Sequence, residues 1–506
     1  MSSRSPLELF QSLKRVLSPR GGVSERAVKS GIWASMANFI GRGLQLVKLI
    51  VLANILTPVQ FGLVAYALLT LAAMRRLSNL GIKEALIQKE EDGVNEYLDT
   101  AWTLTVIRGT ILSIIGYLGA PYIATFFGAG PPATEVIRVM SLIPFLTGIQ
   151  NPGIVYFQKN LDYDKQFVYQ VGKAVVAVGV TIGLAYLWES VWALVVGDIA
   201  GVLTATALSY VLHDYKPWPS IDREQTKELV GYGKWITASG IVVFLTTEGD
   251  DMFVGWLLGN AAIGIYQYSY KVSNAPATEV TKVLSSVIFP TYSKLQNDAS
   301  NLRRAFFKTV QLATFVSIPL AVGIVAVAPV FVDAFLGAEW QPAVQIMQLL
   351  ALWGMLRSIG STTGPLFQAV GKPDIATKIQ VGKLVILVIA IYPVTEAYGI
   401  VGTSALIVGS GLFFSEPVAT YLAVREVEGS YRQFLRLLFY PLTASLGMLA
   451  VVTFVGARLP FGGVPKFVVM VATGAVFYGM AILVMETWAN YGIRDVFQTM
   501  AGAIGE

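Results

Sequence analysis

Long apolar stretches of roughly 20–28 residues recur along the chain, separated by short turns or charged loops. At a helical rise of about 1.5 Å per residue, each is long enough to cross the hydrocarbon core of a bilayer. The pattern predicts helices over 31–56, 61–82, 98–120, 134–158, 166–188, 191–212, 229–256, 263–290, 304–335, 342–370, 378–396, 399–424, 437–457 and 467–488. The expected fold is all-α: a polytopic membrane protein with about 14 transmembrane helices.

The loops alternate in charge. With the amino terminus inside, roughly 23 Lys and Arg fall in inner segments and about 2, Arg458 and Lys466, outside. An even number of spans returns the carboxyl terminus to the same side, so a multi-pass protein of the cytoplasmic membrane with both termini cytoplasmic is expected. Residues 1–30, carrying Arg4, Lys14, Arg15, Arg20, Arg26 and Lys29, lack a signal-peptide core and read as a cytoplasmic amphipathic N-terminus.

Composition agrees with a lipid solvent. Hydrophobic residues make up 54% of the chain and charged residues 14%, against about 25% charge in a soluble domain. The net charge of +5 reflects basic loops near anionic lipid, and no nucleic-acid motif claims it. Absence of cysteine excludes disulfides and thiolate chemistry, and a single histidine, His213, excludes a histidine metal cage. Nothing matches GxxxxGK[ST], and no acid/base or nucleophile constellation stands out. The expectation is a transporter without metal or cofactor, not an enzyme.

The chain also echoes itself. Phe61-Gly62-Leu63-Val64-Ala65-Tyr66 opens the second span and Ile263-Gly264-Ile265-Tyr266-Gln267-Tyr268 the eighth. Phe157-Gln158 closes the fourth and Phe367-Gln368 the tenth. A six-span offset makes the halves parallel repeats about an axis along the membrane normal. The expected organisation is an N-lobe over 31–212, a cytoplasmic linker over 213–228 stiffened by Pro217 and Pro219, a C-lobe over 229–424, and two further spans with a tail over 425–506.

Cations within the apolar stretches are the candidate chemistry. Arg75, Arg76, Lys173, Lys234 and Lys383 lie near inner span ends, where snorkelling to the interface accounts for them. Arg42, Lys48, Arg108, Lys271, Lys282 and Arg357 lie deeper, where each costs about 2.5–3.5 kcal/mol if it faces lipid. They must face protein or a wet cavity. One reading pairs them with buried carboxylates, as Glu279 pairs with Lys282 three residues on. The other lines an anion-binding cavity, and Arg42, Arg108, Lys271 and Arg357, with no local partner in the sequence, are its candidates; Arg suits phosphate through its planar fork. Asp250 and Asp251 are candidates for carrying a proton or sodium ion, or are simply solvated near the outer turn. Trp353 and Tyr268 lie deep enough to stack on a sugar ring.

Ile55-Leu56-Thr57-Pro58-Val59-Gln60-Phe61-Gly62, the run Leu80 to Gln88, Asp250 to Gly259 with Ile263 to Tyr266, and Val287 to Gln296 together resemble the signatures of polysaccharide-transporter (Wzx-type) flippases. These are members of the multidrug/oligosaccharidyl-lipid/polysaccharide superfamily. The resemblance covers roughly residues 30–425. It implies two six-helix lobes around a central cavity and alternating-access transfer of polyprenyl-pyrophosphate-linked oligosaccharide to the outer leaflet. Membrane potential acting on the anionic cargo, or a proton or sodium ion carried by Asp250 and Asp251, is expected to couple transport, with polysaccharide polymerase or assembly proteins as partners. The last two spans resemble the extra pair of lipid II flippases, associated there with a groove for the lipid tail. Against this stand an ion-coupled multidrug antiporter, which predicts acidic cavities for cationic drugs, and a non-transporting membrane scaffold. A membrane glycosyltransferase or polymerase needs larger outer loops than these.

Overall fold

The computed structural model describes residues 23–489 apart from 79–80, 83–85, 87–90 and 161. The described residues are helical, with no strand among them. Among the described residues ten helices are long and apolar enough to cross a membrane, or eleven if one bent pair is counted as a span. The expected fourteen exceed this because Pro373–Glu426 counts once though it carries two expected spans, Arg223–Leu295, which carries two more, is not among the ten, and the span over 134–158 is the bent pair. The run Pro373–Glu426 holds two of the expected spans, meeting at Gly399 (φ 60°, ψ −148°). The hydroxyls of Thr395 and Thr403 are 2.8 Å apart across that glycine, whereas eight residues of continuous helix would separate them by about 12 Å. The chain therefore reverses there, in a conformation open chiefly to glycine. Arg223–Leu295, carrying the expected 229–256 and 263–290, is broken in the same way at Gly259 (φ 81°, ψ −167°).

The chain divides into two compact units, Met1–Met252 and Phe253–Glu506. The first contains α1 (Val23–Ala53), α2 (Pro58–Leu77), α3 (Glu91–Phe126), α4 (Gly130–Met140), α5 (Ile143–Gly148), α6 (Val155–Lys159), α7 (Tyr163–Trp188) and α8 (Trp192–Val211), together with the start of α9 (Arg223–Leu295). The signature around Thr57 is a helix start. Thr57 Oγ1 accepts from the Gln60 amide, Gln60 Oε1 accepts from the Thr57 amide at 2.9 Å, and Pro58 needs no partner for an amide it lacks. Gln60 also donates to the Glu189 carbonyl, tying this turn to the end of α7.

The expected continuous span over 134–158 is instead α4, α5, a 3-10 turn and α6, with a 74° bend between its parts. Pro144 and Pro152 remove amides there, and Asn151 caps the turn by accepting from Gly153. Close crossings depend on small residues. A Cβ on Gly197 would lie 1.8 Å from Thr181 Oγ1 and one on Gly201 2.7 Å from the Ala177 methyl, so the Gly-xxx-Gly face of α8 lets α7 approach. A Cβ on Gly148 would similarly strike the Thr105 carbonyl at 2.6 Å, bringing α5 onto α3.

The linker expected over 213–228 is non-helical only to Asp222, and α9 starts at Arg223. It is strapped to α3: Asp99 accepts from the Tyr215 hydroxyl and the Trp218 amide, and Thr103 Oγ1 accepts from the Ser220 amide at 2.9 Å. The N-terminal segment expected over 1–30 lies outside the described residues up to position 22, and the tail does so beyond 489.

The second unit contains the rest of α9, then α10 (Ala299–Phe335), α11 (Ala343–Gly360), α12 (Thr363–Ala369), α13 (Pro373–Ser410), a π turn (Gly411–Ser415), α14 (Glu416–Glu426), α15 (Tyr431–Arg458) and α16 (Gly463–Ala489). Phe306, Phe307, Val310 and Ile318 of α10 share a core with Met448 and Val452 of α15 and Met470 of α16. The last two helices are thus integral to this unit, and Tyr478 fixes them further by donating to the Phe315 carbonyl at 2.8 Å. Large apolar side chains remain exposed on many helices, Phe39 at 81% and Phe413 at 82% among them. Such exposure is ordinary against lipid, where hiding apolar surface from water gives no driving force.

Candidate functional site: a cationic cavity

The first unit is hollow. A cavity of about 800 Å³ is walled by α1, α2, α3, α5, α7 and α8, within the range of small-molecule sites. Arg42 comes from α1, Arg75 from α2, Arg108 from α3 and Lys173 from α7. Asp198 of α8 is the one carboxylate among the described lining residues. It accepts from Lys48 at 3.2 Å, and Lys48 is 6% exposed, so that carboxylate is engaged from behind the wall. Cations therefore outnumber carboxylates four to one along the lining, and Arg42, Arg75 and Lys173 are exposed to solvent. Glutamines 45, 150 and 170 with Thr105, Thr147 and Tyr169 supply further hydrogen-bonding groups to the same space.

Arg108 is positioned rather than loose. Its Nε and Nη2 donate to Ser78 Oγ at 3.1 and 3.0 Å, and Ser78 in turn donates to the Met74 carbonyl at the end of α2. Gln150 accepts from the Tyr169 hydroxyl at 3.0 Å. Three arginines lining one cavity suit an anion with many acceptor oxygens, as a phosphate or pyrophosphate has.

Of the residues singled out in the sequence, Arg42 and Arg108 line this cavity, while Lys271 and Arg357 belong to the second unit and do not. Arg357, on α11, donates from Nη1 to the Tyr270 hydroxyl and from Nη2 to Thr278 Oγ1, both at 2.8 Å. Its Nε is buried with no acceptor among the described residues. Lys271, beside Tyr270 on α9, is exposed. Asp250 is half-buried and Asp251 buried at 7%. Among the described residues no group of three or more metal-ligating side chains occurs.

The structure also corrects several readings. Arg75 and Lys173, assigned to interfacial snorkelling, line the cavity. Lys383, assigned likewise, is 9% exposed and sits 3.7 Å above the Trp353 ring. Trp353 is thereby covered, and Tyr268 is buried against Trp340, so neither offers a face to a sugar. Lys48 is held by Asp198, and Lys282 by Glu279 at 3.7 Å as their spacing predicts. No local signal marked Arg75: α2 is apolar almost all round, as lipid-facing spans also are, and only the packing of neighbouring helices buries eleven of its twenty residues.

Comparison with known proteins accords with this architecture. The chain is 26% identical to the lipopolysaccharide biosynthesis protein WzxC of Escherichia coli over 434 residues, covering 84% of this chain and 87% of that protein. It is 22% identical to the teichuronic acid biosynthesis protein TuaB of Bacillus subtilis over 376 residues, 74% and 77% of the two. The fold is similar to the lipid II flippase MurJ in an inward closed conformation, with a TM-score of 0.70 at 16% identity over 90% of this chain and 98% of that one. At such identity the likeness speaks for the fold alone. Residues 51–345, more than half of the chain, match the family described as polysaccharide biosynthesis protein, and to that family this multi-pass membrane protein belongs.

Proposed function

We propose that this chain is a flippase moving a polyprenyl-pyrophosphate-linked oligosaccharide from the inner to the outer leaflet of the cytoplasmic membrane by alternating access. The observation that carries the reading is the cavity wall on which Arg42, Arg75, Arg108 and Lys173 face one carboxylate already engaged by Lys48. That wall suits a pyrophosphate and repels the cationic cargo of a drug antiporter. The names of the relatives, which concern lipopolysaccharide and teichuronic acid biosynthesis, support a glycan carrier.

In this mechanism the four cations hold the pyrophosphate while the glutamines bond the first sugars, and the polyprenyl chain stays in apolar surroundings. Arg357, fixed by Tyr270 and Thr278, and the exposed Lys271, next to Tyr270 in the sequence, offer further anion contacts in the C-terminal unit. Carrying two negative charges outward across an inside-negative potential gains about 4–5 kcal/mol per 100 mV. The emptied cationic cavity is drawn back inward by the same field. Asp250 and Asp251 are the carboxylates through which a proton or sodium ion would couple. Both termini lie in the cytoplasm in this scheme, and polysaccharide polymerase or assembly proteins take up the product.

The test is transfer of a fluorescent polyprenyl-pyrophosphate oligosaccharide in proteoliposomes. Wild-type transfer that rises with inside-negative potential and falls sharply in Arg42→Ala and Arg75→Ala, with folding intact, is the expected result. Transfer indifferent to both arginines would overturn the assignment of the cavity.

A further inference from the structure

Beside the main cavity lies a second, smaller one of about 230 Å³. The two share part of their walls: Thr105, Arg108, Thr147 and Gln150 line both. Their characters differ. Away from the shared wall the small pocket is formed mostly by apolar side chains, with Ile82, Leu86, Ala101 and Val155 buried in one hydrophobic cluster. Arg108, oriented by Ser78, stands where the polar cavity gives way to the apolar pocket.

Resting on the flippase reading above, we propose that this side pocket receives the lipid-proximal isoprene units of the cargo. In a polyprenyl pyrophosphate the first isoprene carbon is esterified directly to a phosphate oxygen. A phosphate gripped by Arg108 from the main cavity therefore delivers its first isoprene to within a bond or two of the shared wall. The pocket volume equals that of about eight waters at roughly 30 Å³ each, room for about one or two isoprene units. A wholly hydrophilic cargo would leave this apolar space unused, whereas an amphiphile with its anion at Arg108 fills both sides. The charge at the boundary and the apolar lining behind it are complementary to one kind of molecule, a prenyl phosphate. The consequence is a division of recognition: the side pocket reads the lipid carrier, and the main cavity accommodates the glycan.

The proposal is tested with the purified full chain in nanodiscs, by isothermal titration of inorganic pyrophosphate, isopentenyl pyrophosphate and geranyl pyrophosphate. The quantity read is the ratio of Kd for pyrophosphate to Kd for each prenyl ester, within each protein. In the wild type the ratio for geranyl pyrophosphate is expected to be at least about tenfold, from burial of apolar surface. Ala101→Phe, which fills the pocket, should bring it close to one. Val155→Thr, nearly the same shape but polar, should lower it about threefold, and serves if the larger substitution disturbs folding. A wild-type ratio near one overturns the pocket assignment while leaving the head-group reading standing. A ratio that survives both substitutions overturns it too, because the gain then arises from lipid or from elsewhere on the protein. Failure of pyrophosphate itself to bind removes the head-group reading, and this inference with it.

Discussion

The two units of the chain share a device and differ in what they do with charge. Each breaks one membrane helix at a serine, Ser141 between α4 and α5 and Ser361 between α11 and α12. Each ends the broken stretch in a Phe-Gln pair whose phenylalanine, Phe157 or Phe367, is 1% exposed. In the first unit the surrounding helices leave a large cavity with arginines from three of them and a lysine from a fourth. In the second the corresponding cations are taken up by protein: Arg357 by Tyr270 and Thr278, Lys383 by Trp353, Lys282 by Glu279. Similar helical frameworks can thus be packed around an open, charged space or around satisfied side chains. The choice is made by glycines and side-chain partners, not by the hydropathy that builds the frame.

The strongest challenge to this contrast is Lys48, a buried cation of the first unit that is structurally committed. Asp198→Asn leaves the Lys48 ammonium, 6% exposed, without its carboxylate. Breaking a buried pair from one side costs about 3–5 kcal/mol, so a large fall in the thermal midpoint of the detergent-solubilised protein is expected. Replacing both partners, as Lys48→Met with Asp198→Leu, should recover part of it. The second unit's Glu279–Lys282 pair has side chains 37% and 51% exposed, and Glu279→Gln should shift stability by less than about 1 kcal/mol. Equal losses at both pairs would erase the distinction.

Next in size come the cavity cations themselves. Arg42→Ala and Arg75→Ala each remove a charge that the fold does not bury, so stability should hold while transport falls. A charge-assisted contact is worth about 1.5–3 kcal/mol, which corresponds to roughly 10–100-fold in transfer rate at limiting substrate. If the thermal midpoint falls as far as it does in Asp198→Asn, these arginines are structural and the cavity loses its claim.

Arg357 sharpens the comparison from the other side. Arg357→Lys keeps the charge but cannot span both the Tyr270 and Thr278 hydroxyls. A loss of about 1–2 kcal/mol in stability is expected, with a smaller effect on transfer than either cavity arginine produces. A variant as stable as wild type but defective in transfer would make Arg357 a substrate contact of the same rank.

How much of this was legible beforehand follows from what each signal depends on. The span ladder, the helix start at Thr57 and the Glu279–Lys282 pair are local, fixed by length, capping chemistry and a three-residue spacing. The faces of helices are not. Depth along a span placed Arg75 and Lys173 near an interface, but whether a residue near a span end meets lipid or a cavity depends on which helix packs alongside. For Lys173 the clue was one turn away, in Ala177, which lies against Gly201 of α8. Trp353 and Tyr268 failed as sugar platforms for the same reason, since their partners Lys383 and Trp340 stand on other helices or turns. Gly259 and Gly399 showed in the sequence as glycines within or between apolar runs, yet not as the reversals that join neighbouring spans without a loop.

The smallest expected effect concerns Lys383. The buried Lys383 ammonium lies 3.7 Å above an indole, with the Glu416 carboxylate acting on it as well, and such cation–ring contacts are worth about 0.5–2 kcal/mol. Gly411, at the start of the π turn, lies under the same ring: a Cβ there would come within 2.7 Å of Trp353 Cζ3. The widened turn and the missing side chain thus make room for the indole that the lysine covers. Single substitutions mix this contact with packing, so the informative measurement is a double-mutant cycle of Lys383→Met and Trp353→Leu on thermal stability. A coupling of about 1 kcal/mol would place Lys383 among the cations satisfied by the protein, as the second unit's pattern requires. Coupling near zero, with Lys383→Met reducing transfer instead, would return this lysine to the cargo and weaken the contrast between the two units.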